Sequence, residues 1–189
     1  MADTNDKDVI DLLVAQHGQI KILLQQVHLA VGPARQQAFD DLVRLLAVHE
    51  SAEEQVVHPA SRHHAVGGEI VDSRLREEQE AKQVLASLYD LGLGHPEFDS
   101  RFASFAQKVI EHAELEEKEE FSELRLNTSH DERVRLASVV SFAEALAPTR
   151  PHPEVGGSLA ANLLIGPPLA VFDRIRDAIR DWRKQSSNA

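Results

Sequence analysis

Cysteine is absent from this chain, which excludes disulfides, thiolate metal ligands and cysteine nucleophiles. Uninterrupted apolar runs are missing too: no stretch approaches the 18 or so residues of a membrane-spanning helix. No segment alternates apolar and polar residues with a period of two, so strands find no support. Positive charge is scarce. Lys and Arg number 20 against 31 Asp and Glu, a formal net charge of −11, and this argues against a nucleic-acid partner, whose phosphates need clustered cations. The start, MADTNDKDVIDLL, is acidic and lacks the basic n-region and apolar stretch of a signal peptide, which favours the cytoplasm. Against these absences stand ten histidines, generous for a chain with one Trp and one Tyr.

What is present is helical periodicity. Apolar stripes predict four long amphipathic helices, over 6–29, 35–64 (interrupted near Pro59), 70–91 and 98–126, with breaks at Gly32-Pro33, Gly67-Gly68 and Gly92 to Pro96. Short turns between such helices imply an all-α, up-down-up-down four-helix bundle over 1–130. Residues 131–189 read as a C-terminal helical extension. It has helices over 131–146 and 171–184 around a Pro/Gly-rich linker (PTRPHPEVGG), and 162–168 is apolar but irregular. The last helix, with Phe172, Ile175, Ile179 and Trp182 on one stripe, is expected to pack on the bundle, partner binding or dimerisation being the alternative.

Each bundle stripe is broken by ionisable residues at one level. His17 interrupts the first helix, His49 and Glu53 the second, Glu78 the third, His112 and Glu116 the fourth. Residues i and i+4 lie one above the other on a helix face, so His49/Glu53 and His112/Glu116 each offer an imidazole and a carboxylate to one point. The motif H-x-x-x-E-E occurs twice, 63 residues apart, and a shift of 61 residues lays His17-Ile20-Leu24-Val27 over Glu78-Ala81-Leu85-Leu88. The chain therefore reads as two similar helical hairpins with an approximate twofold axis. Burying such groups without partners costs several kcal/mol. A metal pair, one per half-site, would neutralise them.

These residues make the chain resemble the hemerythrin-like (HHE cation-binding) family. The resemblance rests on IDLLVAQHGQIKILL, HESAEEQVVHP, EEQEAKQVL and HAELEEKEEF and spans roughly residues 6–126. It implies metal ligation by His17, His49, Glu53, His112 and Glu116. The third helix departs from the family pattern: Glu78 stands where relatives usually carry His, within Glu77-Glu78-Gln79-Glu80-Ala81-Lys82. The fourth-helix carboxylate has two candidates. The spacing of oxygen-carrying hemerythrins selects Glu117, whereas helix geometry and symmetry with Glu53 select Glu116.

The remaining polar residues have blander readings. His58, His63 and His64 are expected at the surface or around the ligands rather than on a metal. The acidic run Glu111 to Glu123 reads mostly as a solvated face, with Glu54, Glu117, Glu119 and Glu120 needing no special role. Imidazoles and carboxylates without sulfur suit iron, with manganese or zinc also accommodated. The expected function is a cytoplasmic diiron protein binding or reducing O2, peroxide or nitric oxide, with no membrane or nucleic-acid partner and an unidentified protein or redox partner. Its high carboxylate content favours reduction or iron sensing over reversible oxygen carriage. A non-catalytic oxygen or iron sensor is the alternative, and a metal-free structural bundle a third.

Overall fold

A computed structural model describes residues 7–64, 67–146 and 167–186. The first helix, α1 (Val9–Leu29), begins where Asp8 closes a capping box. Its carboxylate accepts from the N–H groups of Ile10 (3.0 Å) and Asp11 (3.2 Å), while Asp11 accepts from the Asp8 N–H. Buried Arg133 also donates to Asp8 at 2.6 Å, tying the start of α1 to a later helix. After α2 (Gly32–Ala52), a π-helical turn (Glu53–Val57) leads into α3 (His58–His63). Next come α4 (Gly68–Leu91) and α5 (Phe98–Leu115), a second π-turn (Glu116–Glu120) and α6 (Phe121–Asn127). Helices α7 (His130–Leu146) and α8 (Pro168–Ser186) follow. Among the described residues there is no strand, and no helix is long and apolar enough to cross a membrane.

The bundle is therefore as expected, with one correction. The second helix is disturbed at Glu53–Val57, before Pro59, and the fourth is disturbed at the equivalent Glu116–Glu120 without any proline. Proline is tolerated at the start of α3. Its missing N–H leaves Gln55 O, one turn back, short of a donor, and Arg183 of α8 donates to that oxygen instead. The PTRPHPEVGG linker and nearly all of the irregular stretch before Pro168 lie outside the described residues.

Two apolar clusters fill the interior. One contains Ile20, Leu24, Phe39, Leu42, Leu85, Phe102 and Phe105, and the other Val9, Ile10, Leu13, Val57, Phe121 and Leu124. The ionisable residues occupy the level between them. The last helix packs on the bundle: Val171, Phe172, Ile175 and Ile179 are buried in the larger cluster, and α8 lies against both α2 and α4. This explains why α2 is buried nearly all round from Leu45 to Ala52, a pattern that a helix with one core-facing stripe does not show. Because Ile175 is fully buried, Ile175→Ala should cost about 2–5 kcal/mol in a denaturant titration. A loss under about 0.5 kcal/mol, the range of surface changes, would show that α8 is not part of the core.

Candidate metal centre

All six residues singled out in the sequence lie in the polar layer. His17 comes from α1, His49 and Glu53 from α2 and its π-turn, Glu78 from α4, His112 and Glu116 from α5 and its π-turn. Two groups share a pair of carboxylates. His17, His49, Glu53 and Glu116 each place one ligand atom within 4.8 Å of the others, and so do Glu53, Glu78, His112 and Glu116. Glu53 and Glu116 belong to both, as expected of residues that bridge two positions. Both are fully buried, and neither oxygen of either side chain has a hydrogen-bond partner.

The imidazoles carry the most informative geometry. His17 Nδ1 donates to Glu117 Oε1 (2.8 Å), His49 Nδ1 to Gln16 Oε1 (2.9 Å) and His112 Nδ1 to Glu77 Oε2 (2.9 Å). Each outer acceptor fixes a proton on Nδ1 and turns Nε2 inward as the atom available to a metal. The Nε2 atoms of His17 and His49 then stand 3.0 Å apart, and His112 Nε2 is buried without a partner. Two nitrogens each about 2.1 Å from one ion, at right angles, stand about 3.0 Å apart. The donor set thus fits metal ions, and the outer contacts repeat with the hairpins: Gln16 and Glu77 are equivalent under the 61-residue shift.

Electrostatics follow from burial. Desolvation pushes the Glu53 carboxyl well above its usual range, reinforced by Glu116 and Glu78. Burial would raise Glu116 as well, but the His17 imidazole 3.3 Å away and the charge of His112 hold it well below. His49 is depressed by burial and by neighbouring His17. Burial opposes charge on His112, yet its hydrogen bond to Glu77 and the charge of Glu116 lift it to about 9. Beside the cluster, burial raises Glu50 to about 8 against the pull of Lys82, which is itself buried and ion-paired to Glu54.

A family model for the hemerythrin HHE cation-binding domain matches residues 8–124. The chain belongs to the hemerythrin HHE cation-binding family. A crystal structure of a hemerythrin HHE cation-binding domain-containing protein from Mycobacterium kansasii matches with a TM-score of 0.66 at 18% identity, over 82% of this chain and 98% of that one. At that identity it bears on the fold. A protein from Nostoc sp. described as a DNA nickase is 27% identical over 146 residues, 76% of this chain. The chain spans only 41% of that relative's length.

Within this HHE domain the structure separates the two fourth-helix candidates. Glu116 is fully buried in the cluster, whereas Glu117 is 35% exposed and accepts from His17 at the edge. Two expectations need correcting and a third is narrowed. Glu120 is not a solvated member of the acidic run but 0% exposed, and Glu54 and Glu117 hold Lys82 and His17 rather than lacking a role. His58, expected at the surface or around the ligands, lies in the interior: it is 2% exposed and bridges Glu78 and Glu120. The sequence carried no signal for this, because in an unbroken α-helix residue 58 points about 140° away from residue 53. In the π-turn the His58 N–H bonds to Glu53 O, five residues back, and this swings residue 58 onto the face of the site.

In the metal-free protein His58 and His112 keep protons at pH 7, since their hydrogen-bonded carboxylates lift them to about 10 and about 9. Metal ligation at these nitrogens would have to displace those protons. Affinity should therefore rise with pH between 7 and 9, with proton release measurable by calorimetry in buffers of different ionisation enthalpy. Chelation at pH 7 should lower the thermal midpoint. Metal uptake independent of pH, or a midpoint unmoved by verified metal loss, would contradict this electrostatic account.

Proposed function

We propose that this HHE domain holds two iron ions between its hairpins and uses them to bind or reduce O2, peroxide or nitric oxide. The observation that carries the reading is the pair of inward Nε2 atoms of His17 and His49, set 3.0 Å apart beside the orphaned oxygens of Glu53 and Glu116. The nitrogen- and oxygen-only donor set favours iron, and manganese or zinc would also be accommodated. Bound there, a pair of iron ions supplies two electrons at one place to a small oxidant. The chain supplies the rest. His17, His49 and Glu53 would hold one ion, His112 and Glu78 the other, with Glu116 and Glu53 shared.

A cavity of about 250 Å³ supports access by a small ligand. Its walls combine Ile20, Leu46, Ala81, Val84, Phe105 and Val109 with the site's own His49, His112 and Glu78. Apolar walls favour O2 and nitric oxide over bulk water near the imidazoles. A sensing role is the second reading. It is favoured by the contact of α8 with the π-turn, where Arg183 donates to Gln55 O and could couple metal occupancy to the C-terminal helix. The DNA-directed activity of the Nostoc relative finds less support. Net charge is −11, and along α8 Arg176, Arg180 and Lys184 each pair with an Asp three residues earlier.

Protein expressed in iron-rich medium should carry two irons per chain, and its reduced form should change its optical spectrum on mixing with peroxide, O2 or nitric oxide. Turnover of peroxide marks an enzyme; stoichiometric binding marks a sensor. Ala81→Leu, which narrows the cavity, should slow these reactions while leaving the iron content unchanged. Absence of bound metal, or bound iron inert to all three ligands, would overturn the proposal.

A further inference from the structure

At the inward-facing positions of the polar layer the two hairpins match except at one exchange. Under the internal repeat His17 corresponds to Glu78, and His58 corresponds to Phe121, 63 residues later. In the first half-site His17 of α1 faces Phe121 of α6, the rings stacked with centroids 5.8 Å apart. In the second, the carboxylate is on α4 and the imidazole is on α3, with His58 Nε2 2.5 Å from Glu78 Oε1. Histidine and its neighbour have traded helices.

His58 also repeats the orientation of the other three imidazoles. Its Nδ1 donates to a carboxylate, Glu120 Oε1 at 3.0 Å, and its Nε2 points to the inner oxygen of Glu78. Glu120 is fully buried, and its second oxygen, like that of Glu78, has no hydrogen-bond partner. His58 further joins Glu116 and Glu120 in a third cluster of ligand atoms within 4.8 Å of one another. The matched π-turns create both placements: the N–H groups of His58 and Phe121 reach back five residues to the carbonyls of Glu53 and Glu116.

We propose that His58 supplies the second half-site with the imidazole that Glu78 displaces from the third helix, so that His58 and Glu78 together with His112 hold the second metal. Glu120 orients His58 as Glu117 orients His17. This rests on the reading that the polar layer binds metal, but not on which small molecule reacts there.

The test compares Fe(II) binding by the wild type, His58→Gln, His58→Phe and the double variant His58→Phe/Glu78→His. The readouts are metal analysis, chelator competition for the weaker ion and the number of bound imidazoles from X-ray absorption. Both single variants should keep one ion at wild-type affinity and hold the other more than about 100-fold more weakly, beyond the roughly 10–100-fold that loss of an orienting partner costs. The double variant rebuilds the His17/Phe121 arrangement in the second half-site and should recover the second ion to within about tenfold of wild type. His58→Gln keeps a hydrogen-bonding side chain between Glu78 and Glu120, so it tests ligation even if His58→Phe does not fold. Weakening of about 100-fold or less in His58→Gln with the imidazole count unchanged would reduce His58 to a hydrogen-bond bridge and overturn the inference. A double variant no better than His58→Phe would overturn the exchange. A wild type that binds no iron would instead sink the metal reading itself.

Discussion

Everything in this domain is arranged around the mutual repulsion of Glu53 and Glu116. Both are fully buried, both oxygens of each lack hydrogen-bond partners, and each belongs to both halves of the cluster. Two carboxylate charges about 4 Å apart repel by about 4 kcal/mol at the effective dielectric of a protein interior. Apolar clusters lie on either side of them, so water cannot relieve the strain cheaply. Cationic neutralisation, by protons or by metal, is the remaining way to keep the layer in place. The outer hydrogen bonds then decide which cation the layer suits. With Nδ1 of His17 and His49 committed to Glu117 and Gln16, the inward nitrogens stand 3.0 Å apart beside the oxygens of Glu53 and Glu116; a proton there joins only the two nitrogens, whereas a metal joins nitrogens and carboxylates at one point.

The fold supplies this layer by using one hairpin design twice. The two π-turns, at Glu53–Val57 and Glu116–Glu120, open four residues after each motif histidine has been set in place. A π-turn forfeits regular α-helical hydrogen bonding and is uncommon in helices generally. Here it has a definite product: it rotates the chain so that His58 and Phe121, otherwise off the face, come down beside the carboxylates. Neither π-turn is forced by proline. Pro59 lies beyond the first, and its missing N–H is offset by Arg183, so the C-terminal helix is bound to the helix that carries His49 and Glu53.

How much of this was legible in the sequence depends on the period of each segment. The stripes of α1 and α5 stay close to 3.6 residues per turn up to the motifs, and Ile10, Leu13, His17, Ile20, Leu24 and Val27 are all buried as that period requires. The pairing of His49 with Glu53 and of His112 with Glu116 rested on the same geometry. Past those carboxylates the period changes, and the reading blurred there: Glu120 was assigned no special role, and His58 was left between the surface and the surroundings of the ligands, although both are buried. Arg74 and Lys82 were unreadable for another reason. Cations on a core-facing stripe look like surface residues until the carboxylates they meet, Glu77 for Arg74 and Glu50 with Glu54 for Lys82, are known.

Those two cations bear on the difference between the half-sites. Against α1, the third helix replaces Gln16 by Glu77 and His17 by Glu78, adding two carboxylates. It also replaces Leu13 by Arg74, and Lys82 sinks to 7% exposure where its equivalent Lys21 remains 39% exposed. The added negative charge is thus met by buried positive charge on the same helix. With His58 turned inward, each half presents two imidazoles, His17 with His49 and His58 with His112, so the histidine content of the halves is equal. What remains unequal is one carboxylate next to the second position, partly offset by Lys82 and Arg74. The asymmetry of this centre therefore follows from charge placed along a single helix, α4, while the rest of the repeat keeps the two halves alike.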